Sequence, residues 1–241
     1  MKAIILAAGS GRRLKIHKPK GMLNIGSKHL IDYSIKNLRA SGVERFTVVT
    51  GYQSEFYENH FIFDDDVNLV HNSEHANSGS LYSLYVGIKD EEEDVIILDS
   101  DILYNWEELN DFFNNPHRNA IFATNVPDGR TDACYVKTDY SDTLVKISKN
   151  MNTLGLRSED PLWEHIGITK VSAIALSEIR AYAEEKFIES GDLQHEYDYA
   201  FESIDVKFKV LKYKDYIWAE ADDNQQLQYM VSVVYPKITL S

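Results

Sequence analysis

Apolar residues in this chain come in short runs that alternate between two periods. Ala3-Ile4-Ile5-Leu6 is continuous and reads as a strand covered on both faces. Leu30, Ile31, Ile35 and Leu38 fall at helical spacing across residues 29–41, closed by Ser41-Gly42. The β-branched stretch 45–50 predicts a strand ending at Gly51, residues 53–60 a short helix, and 67–71 another strand. Asn77-Ser78-Gly79-Ser80 opens a helix running to Gly87, with Ser78 or Ser80 as its N-cap. Residues 94–98 (DVIIL) predict a strand that ends in Asp99-Ser100-Asp101, and 105–114 a helix. This β–α alternation predicts a mostly parallel, doubly wound sheet through residue 115. Ligands of such sheets bind outside the carboxyl ends of the strands, so the loops at 8–20, 51, 72–80 and 99–101 are expected on one rim.

The second half changes period. Residues 119–124, 133–137, 143–148 and 165–171 predict short strands separated by turn chemistry, including Pro127-Asp128-Gly129. Helices are expected over 172–188 and 195–203, strands over 206–213 and 216–220, and a last helix over 223–234. No repeat, low-complexity stretch or linker divides the chain. The expectation is one α/β domain over 1–241, with a nucleotide-binding half at 1–115 and an acceptor-binding half at 116–241 covering the open side of the site.

Charge refines this. The net charge is −13, which argues against nucleic acid as the partner. Yet residues 1–45 hold ten Lys/Arg against two Asp/Glu, so a basic segment precedes an acidic body. That suits a small anionic ligand, with carboxylates in the body available for metal. No apolar run approaches a membrane span, and the N-terminus enters a strand directly, so no signal peptide is read and a cytoplasmic location is expected. The single cysteine, Cys134, excludes an internal disulfide framework.

The segment 2–21, KAIILAAGSGRRLKIHKPKG, is a strand, a glycine loop and then cations. Glycines let the backbone aim N–H groups at phosphate oxygens, and the cations neutralise their charge. A bare G-x-G is weak: the third glycine of a dinucleotide fingerprint is replaced by Leu14, and the lysine-serine pair of a P-loop is missing. Asp99-Ser100-Asp101, at a strand end, can hold Mg²⁺ through carboxylate oxygens. The same D-x-D pattern marks many glycosyltransferases, and Asp99 can equally be a turn or cap residue. Asp222, in Trp218-Ala219-Glu220-Ala221-Asp222, is either a metal ligand or the N-cap of the last helix, with Asp223 the alternative cap.

The combination L-A-A-G-x-G-x-R-L with Pro19-Lys20 downstream resembles the nucleotidyltransferase superfamily. KPKG (18–21), TGY (50–52), ANSGS (76–80), LDSDILY (98–104), SKN (148–150), HIGITK (165–170), EYDYA (196–200) and WAEADDNQQL (218–227) resemble its 2-aminoethylphosphonate and choline-phosphate cytidylyltransferase branch, more closely the former. The resemblance covers nearly the whole chain. It implies a Rossmann-like, doubly wound mixed sheet with a smaller β/α second half, and transfer of CMP from CTP to 2-aminoethylphosphonate with release of pyrophosphate. It implies Arg13, Lys20 and Asp101 as catalytic residues and Asp101 and Asp222 as Mg²⁺ ligands. Leu6, Ala7, Ala8, Gly9, Gly11, Gly51, Asn72, Asn77, Gly79 and Ser80 would join Arg13 and Lys20 around the nucleotide. Ala221 and Asn77 depart from the family pattern, which bears on nucleobase choice.

The acceptor side needs a cation for the phosphonate, for which Lys149 stands beside Lys20, and carboxylates for an ammonium, for which Asp132, Glu164, Glu196 and Asp198 are available. A trimethylammonium would instead need aromatic faces, and Tyr135, Trp163, Tyr197, Tyr199 and Trp218 supply candidates, Trp218 foremost. Phosphocholine, or another small phosphorylated acceptor, is therefore the alternative substrate. A D-x-D glycosyltransferase is the alternative from another class. A homodimer is left open.

Overall fold

In the computed structural model, which describes residues 1–127, 130, 132–157 and 160–239, a nine-stranded mixed sheet runs through both halves of the chain. Of the turn expected at 127–129, Asp128 and Gly129 lie outside the described residues. The chain runs β1 (Lys2–Ala7), a small hairpin β2 (Asn24–Ile25) and β3 (Lys28–His29), α1 (Leu30–Ala40), β4 (Arg45–Thr50), α2 (Glu55–His60), β5 (Val67–His71) and α3 (Ser80–Ile88). There follow β6 (Val95–Asp99), β7 (Ile102–Tyr104), α4 (Trp106–Asn114), β8 (Ala120–Asn125), β9 (Cys134–Thr138), β10 (Leu144–Ser148), β11 (Trp163–Val171) and α5 (Ala173–Ile188). The last elements are α6 (Asp198–Ser203), β12 (Lys209–Tyr213), β13 (Trp218–Glu220), α7 (Asn224–Tyr229), a π-helical turn over Met230–Val234, and α8 (Tyr235–Thr239).

The sheet order is β10-β9-β11-β6-β1-β4-β5, with β8 pairing both β11 and β12. β1, β4, β5 and β6 are parallel, as the βα alternation requires. β11 then enters antiparallel between β6 and the strands of the second half, making the sheet mixed. Side chains alternate across it. Ala3, Ile5, Ile96 and Leu98 face a core with Ile31, Ile35 and Leu38 of α1 and Phe112 of α4. Ile4, Leu6, Val95 and Ile97 face the other way, against Leu81 and Leu84 of α3 and Leu176 and Ile179 of α5. Ile4, Ile5, Ile96 and Ile97 are fully buried, which for such side chains is worth about 1.5–3 kcal/mol each. That two-sided cover is why these strands read as unbroken apolar runs.

Two local features differ from the expectations. The N-cap of α3 is Gly79, not a serine. Gly79 donates its N–H to the Leu193 carbonyl at 2.6 Å, and a Cβ there would lie 2.4 Å from the carbonyl oxygens of Gln194 and His195. The helix start is therefore pinned by the 193–195 backbone rather than by a hydroxyl. The second is β7, which follows the Asp99–Asp101 turn directly and is too short to show a period. It pairs antiparallel with β13, Ile102 opposite Glu220, and the pairing extends through the Ala221 N–H to the Asp101 carbonyl at 2.8 Å. Leu14, Leu23 and Ile25 pack on Leu103 and Ala219 from these strands, on Ala221 just after β13, and on Met230 and Val234 behind them. The glycine loop and the far end of the chain thus share one small core. No helix of the described residues is long and apolar enough to cross a membrane.

Candidate active site

The carboxyl ends of β1 and β6 open onto a cleft of about 560 Å³. Leu6, Ala8 and Gly9 form one wall, Ser78–Ser80 and Ser83 another, and Asp99–Asp101 the floor. The opposite side comes from the second half: Arg130, Asp132, Cys134, Lys149, His165–Gly167, Glu196–Asp198, Glu220 and Asp222.

An ion network crosses the floor. Pro19, in extended conformation, leads into a single 3₁₀ turn, Lys20–Met22, which presents the Lys20 ammonium to the floor. Lys20 Nζ donates to Asp101 Oδ2 at 2.7 Å and also to Asp222 Oδ1, while Arg13 Nη2 meets Asp222 Oδ2 at 2.6 Å. Burial alone would lower the Lys20 pKa, but Asp101 and Asp222 outweigh it and hold it well above the usual lysine value. Burial likewise opposes ionisation of Asp222, yet Lys20 and then Arg13 keep its pKa below the usual carboxylate value. The Asp222 N–H donates to Gln226 Oε1 at 3.0 Å, and Asp223, not Asp222, caps α7 by accepting from the N–H groups of Gln225 and Gln226. The Asp222 carboxylate is thereby left to the cleft. Two hard oxygen donors that already share one cation suit Mg²⁺, and Glu220 adds a third carboxylate near Asp222 and Asp132.

Asp99 does not share Lys20 with Asp101. Tyr197 donates its hydroxyl to Asp99 Oδ2 at 3.1 Å, and the carboxyl fills a notch left by Gly167. A Cβ at Gly167, whose φ is +81°, would sit 2.4 Å from that oxygen. Burial, then the charges of Asp101 and Asp198, push the Asp99 pKa well above the usual value. Beyond it, Asp198 Oδ1 lies 2.9 Å from His165 Nδ1, and His165 Nε2 lies 2.9 Å from Thr169 Oγ1, so this buried network is internally satisfied. Nearer the mouth, Lys149 Nζ is 3.4 Å from Glu196, whose other oxygen accepts from the Ser80 hydroxyl.

A third cluster surrounds Arg130. Its guanidinium lies over the Trp218 ring at 5.0 Å, pairs with Glu220, and has its Nε 3.2 Å from Glu164 and 3.3 Å from Asp132. Glu164 is fully buried, and burial raises its pKa to about 7 although the Arg130 charge opposes the shift.

Arg13, Lys20, Asp101, Asp222, Leu6, Ala8, Gly9, Gly79, Ser80, Asp132, Lys149, Glu196 and Asp198 are thus brought to one cleft. Others expected there do not line it. Ala7 faces the core. Gly11, with φ +57°, shapes the loop beneath the Lys20 stem, where a Cβ would lie 3.1 Å from Lys20 Cγ. Gly51 makes room for His75, 2.5 Å from where its Cβ would be. Asn72 is fully buried and spends its amide on Ser78 and Ser83 at 3.2 and 3.0 Å, holding the turn before α3. Asn77 meets Gln194 through its carbonyl. Glu164 and Trp218 lie beneath Arg130 rather than at the surface of the cleft. Arg130, Glu220 and His165 were not expected as site residues, and Tyr197 was expected only as an aromatic face for a trimethylammonium. Glu220 carried a signal, sitting two residues before Asp222 at a strand end, and His165 and Tyr197 lay within the HIGITK and EYDYA motifs, while Arg130 carried none.

Comparison with known proteins follows the same outline. Residues 3–161 match the MobA-like NTP transferase domain. A choline-phosphate cytidylyltransferase of Streptococcus pneumoniae is 34% identical over 126 residues, 51% of this chain and 53% of that protein, so the match spans about half of that relative. A CTP:phosphoglutamine cytidylyltransferase of Campylobacter jejuni is 28% identical over 207 residues, 76% of this chain and 78% of the relative. A 2-aminoethylphosphonate cytidylyltransferase of Lancefieldella rimae is 30% identical over 155 residues, 61% and 60% of the two chains. Among solved structures, the fold matches an inositol-1-phosphate CTP transferase of T. maritima with a TM-score of 0.79 at 21% identity, covering 99% of this chain and 96% of that one. It also matches the CTP:phosphocholine cytidylyltransferase of Streptococcus pneumoniae with a TM-score of 0.76 at 22% identity, covering 96% and 98%.

Proposed function

The chain belongs to the MobA-like NTP transferase domain family, and from that membership we propose that it is a cytidylyltransferase, moving CMP from CTP onto 2-aminoethylphosphonate and releasing pyrophosphate. The observation that carries this reading is the meeting of Lys20, Arg13, Asp101 and Asp222 in one ion network beside the glycine loop. The cytidylyltransferase relatives support the choice of CTP and of a small phosphorylated acceptor.

In the proposed reaction a phosphonate oxygen of the acceptor attacks the α-phosphorus of CTP. A P–O bond forms there, the bond to the β-phosphate oxygen breaks, and pyrophosphate leaves with the electron pair. Negative charge grows on the α-phosphate oxygens and on the leaving group, so preorganised cations lower the barrier. Lys20, held charged by its two carboxylates, would steady the α-phosphate and the incoming oxygen. Arg13, more exposed at the mouth, would hold the departing phosphates. Asp101 and Asp222 would hold Mg²⁺, which when bound supplies further charge neutralisation on phosphate oxygens. Lys149 would bind the phosphonate, with Asp132, Glu196 and Asp198 offering carboxylates to the ammonium.

Phosphocholine is the second reading, supported by the choline-phosphate cytidylyltransferase relative, although Arg130 covers the Trp218 face that a trimethylammonium would need. Sugar transfer through D-x-D is less favoured, because Asp99 is turned to Tyr197 and Gly167 and leaves Asp101 as the one carboxylate of the motif on the cation. The test is a pyrophosphate-release screen of the four nucleoside triphosphates against phosphonates and phosphomonoesters in Mg²⁺. Release with CTP and 2-aminoethylphosphonate is expected. Release with none, or with a different nucleotide alone, would overturn the reading.

A further inference from the structure

Resting on the cytidylyltransferase reading, we propose that Arg130 fills the cleft's aromatic cation box from within and so restricts the acceptor to compounds with a primary ammonium, excluding trimethylammonium ones.

The box is complete in its parts. Trp218 offers a ring face, and Glu164, Asp132 and Glu220 surround it with carboxylates. Its occupant is a side chain of the same protein: the guanidinium sits 5.0 Å over the ring. Glu164 is fully buried beneath it, 3.2 Å from Nε, yet neither Glu164 oxygen has a hydrogen-bond partner among the described residues. A buried carboxylate without a hydrogen bond is costly to keep ionised, and here the compensation is the single positive charge above it.

The two candidate headgroups use such a box differently. A trimethylammonium has no N–H donor, so it gains from ring faces and diffuse negative charge and needs the face that Arg130 covers. A primary ammonium has three donors and needs oxygen lone pairs. Asp132 is 38% exposed and Glu220 21%, so their carboxylates remain reachable from the cleft while they pair with Arg130. No other aromatic weighed for this role substitutes for Trp218. Trp163 carries Lys212 over its ring at 5.5 Å, Tyr199 packs on His195, Tyr135 is buried with its hydroxyl on the Arg130 carbonyl, and the Tyr197 hydroxyl is committed to Asp99.

The experiment compares Arg130→Ala with the unaltered protein on three acceptors with CTP: 2-aminoethylphosphonate, phosphoethanolamine and phosphocholine. The unaltered protein is expected to disfavour phosphocholine. Opening the ring face should shift the kcat/KM ratio of phosphocholine to phosphoethanolamine upward by roughly tenfold. In a parallel arm without nucleotide, choline chloride should quench tryptophan fluorescence in Arg130→Ala, but neither in the unaltered protein nor in Arg130→Ala/Trp218→Phe. If Arg130→Ala alone does not fold, Arg130→Ala/Glu164→Gln removes the uncompensated buried charge and is tested in the same way. Efficient phosphocholine turnover by the unaltered protein overturns the proposal, as does an unchanged ratio in the folded variant. So does a fall on all three acceptors without choline quenching, which would make Arg130 an anion-holding residue. If the unaltered protein releases no pyrophosphate from CTP with any of the three acceptors, the cytidylyltransferase reading falls instead, and the fluorescence arm still decides whether the box takes choline once emptied.

Discussion

Lys20 donates its ammonium to the Asp222 carboxylate across 202 residues of sequence, tying the first loop of the chain to the segment after its last strand. Asp101 accepts from the same ammonium at 2.7 Å. One cation therefore holds together three segments that are far apart in the sequence. Replacing it by alanine removes the proposed α-phosphate contact and leaves two carboxylates facing each other. Lys20→Ala is expected to slow pyrophosphate release by roughly 10²–10³-fold. Its melting temperature should fall in metal-free buffer and recover in part when Mg²⁺ is added. Turnover at the unaltered rate would remove Lys20 from the mechanism.

Divalent cation should be required. EDTA is expected to abolish turnover and added Mg²⁺ to restore it. Mg²⁺ should also raise the melting temperature of the unaltered protein but not of Asp101→Asn/Asp222→Asn, because the hard oxygen charges that would hold the ion are gone. An equal Mg²⁺ shift in both proteins would place the metal elsewhere.

Gly167 serves Asp99 in two ways: its φ of +81° suits only glycine, and a Cβ would sit 2.4 Å from the Asp99 carboxyl. Gly167→Ala should destabilise the fold by about 1–3 kcal/mol, read by urea unfolding. Adding Asp99→Ala removes the 2.4 Å oxygen contact but keeps the Asp99 Cβ at 3.0 Å and the dihedral strain, so the double variant should recover only part of the loss. Full recovery would assign the whole cost to the carboxyl contact.

Burial, opposed by the Arg130 charge, raises the Glu164 pKa from 4.5 to about 7 in the folded state. A carboxyl with a raised folded pKa binds more protons folded than unfolded between those values. Its contribution is present below pH 4.5 and is lost as pH rises through 7. Glu164→Gln should flatten that part of the stability profile and raise stability above pH 7, by at most ~3 kcal/mol. Unfolding free energies measured across this window check it. An unchanged slope would mean that Arg130 keeps Glu164 ionised throughout.

Lys149, 3.4 Å from Glu196, is the cation proposed for the acceptor's phosphonate. Lys149→Met is expected to raise the acceptor KM roughly 10–100-fold, the worth of one charge-assisted hydrogen bond, with little change in the KM for CTP. Equal effects on both substrates would make its role structural.

Elements whose periods are long enough to read were legible in the sequence. Ala3–Leu6 and residues 94–98 are apolar on both faces because helices cover both sides of the sheet, and that signal is local to the chain. The sequence also placed Arg13, Lys20, Asp101 and Asp222 in motifs, since a glycine loop and strand-end carboxylates are local patterns. How distant segments meet is set by the three-dimensional packing. The three residues of β7 carry no period of their own, yet their pairing with β13 brings Asp222 to Asp101. Asn72 read as a ligand contact because a polar residue near a turn looks the same whether its amide faces a cleft or, as here, two neighbouring serines. Arg130 carried no signal at all. A lone arginine after a turn is ordinary in sequence. It acquires meaning only where β13 supplies Trp218 and Glu220, β11 supplies Glu164, and their charges and ring converge on one guanidinium.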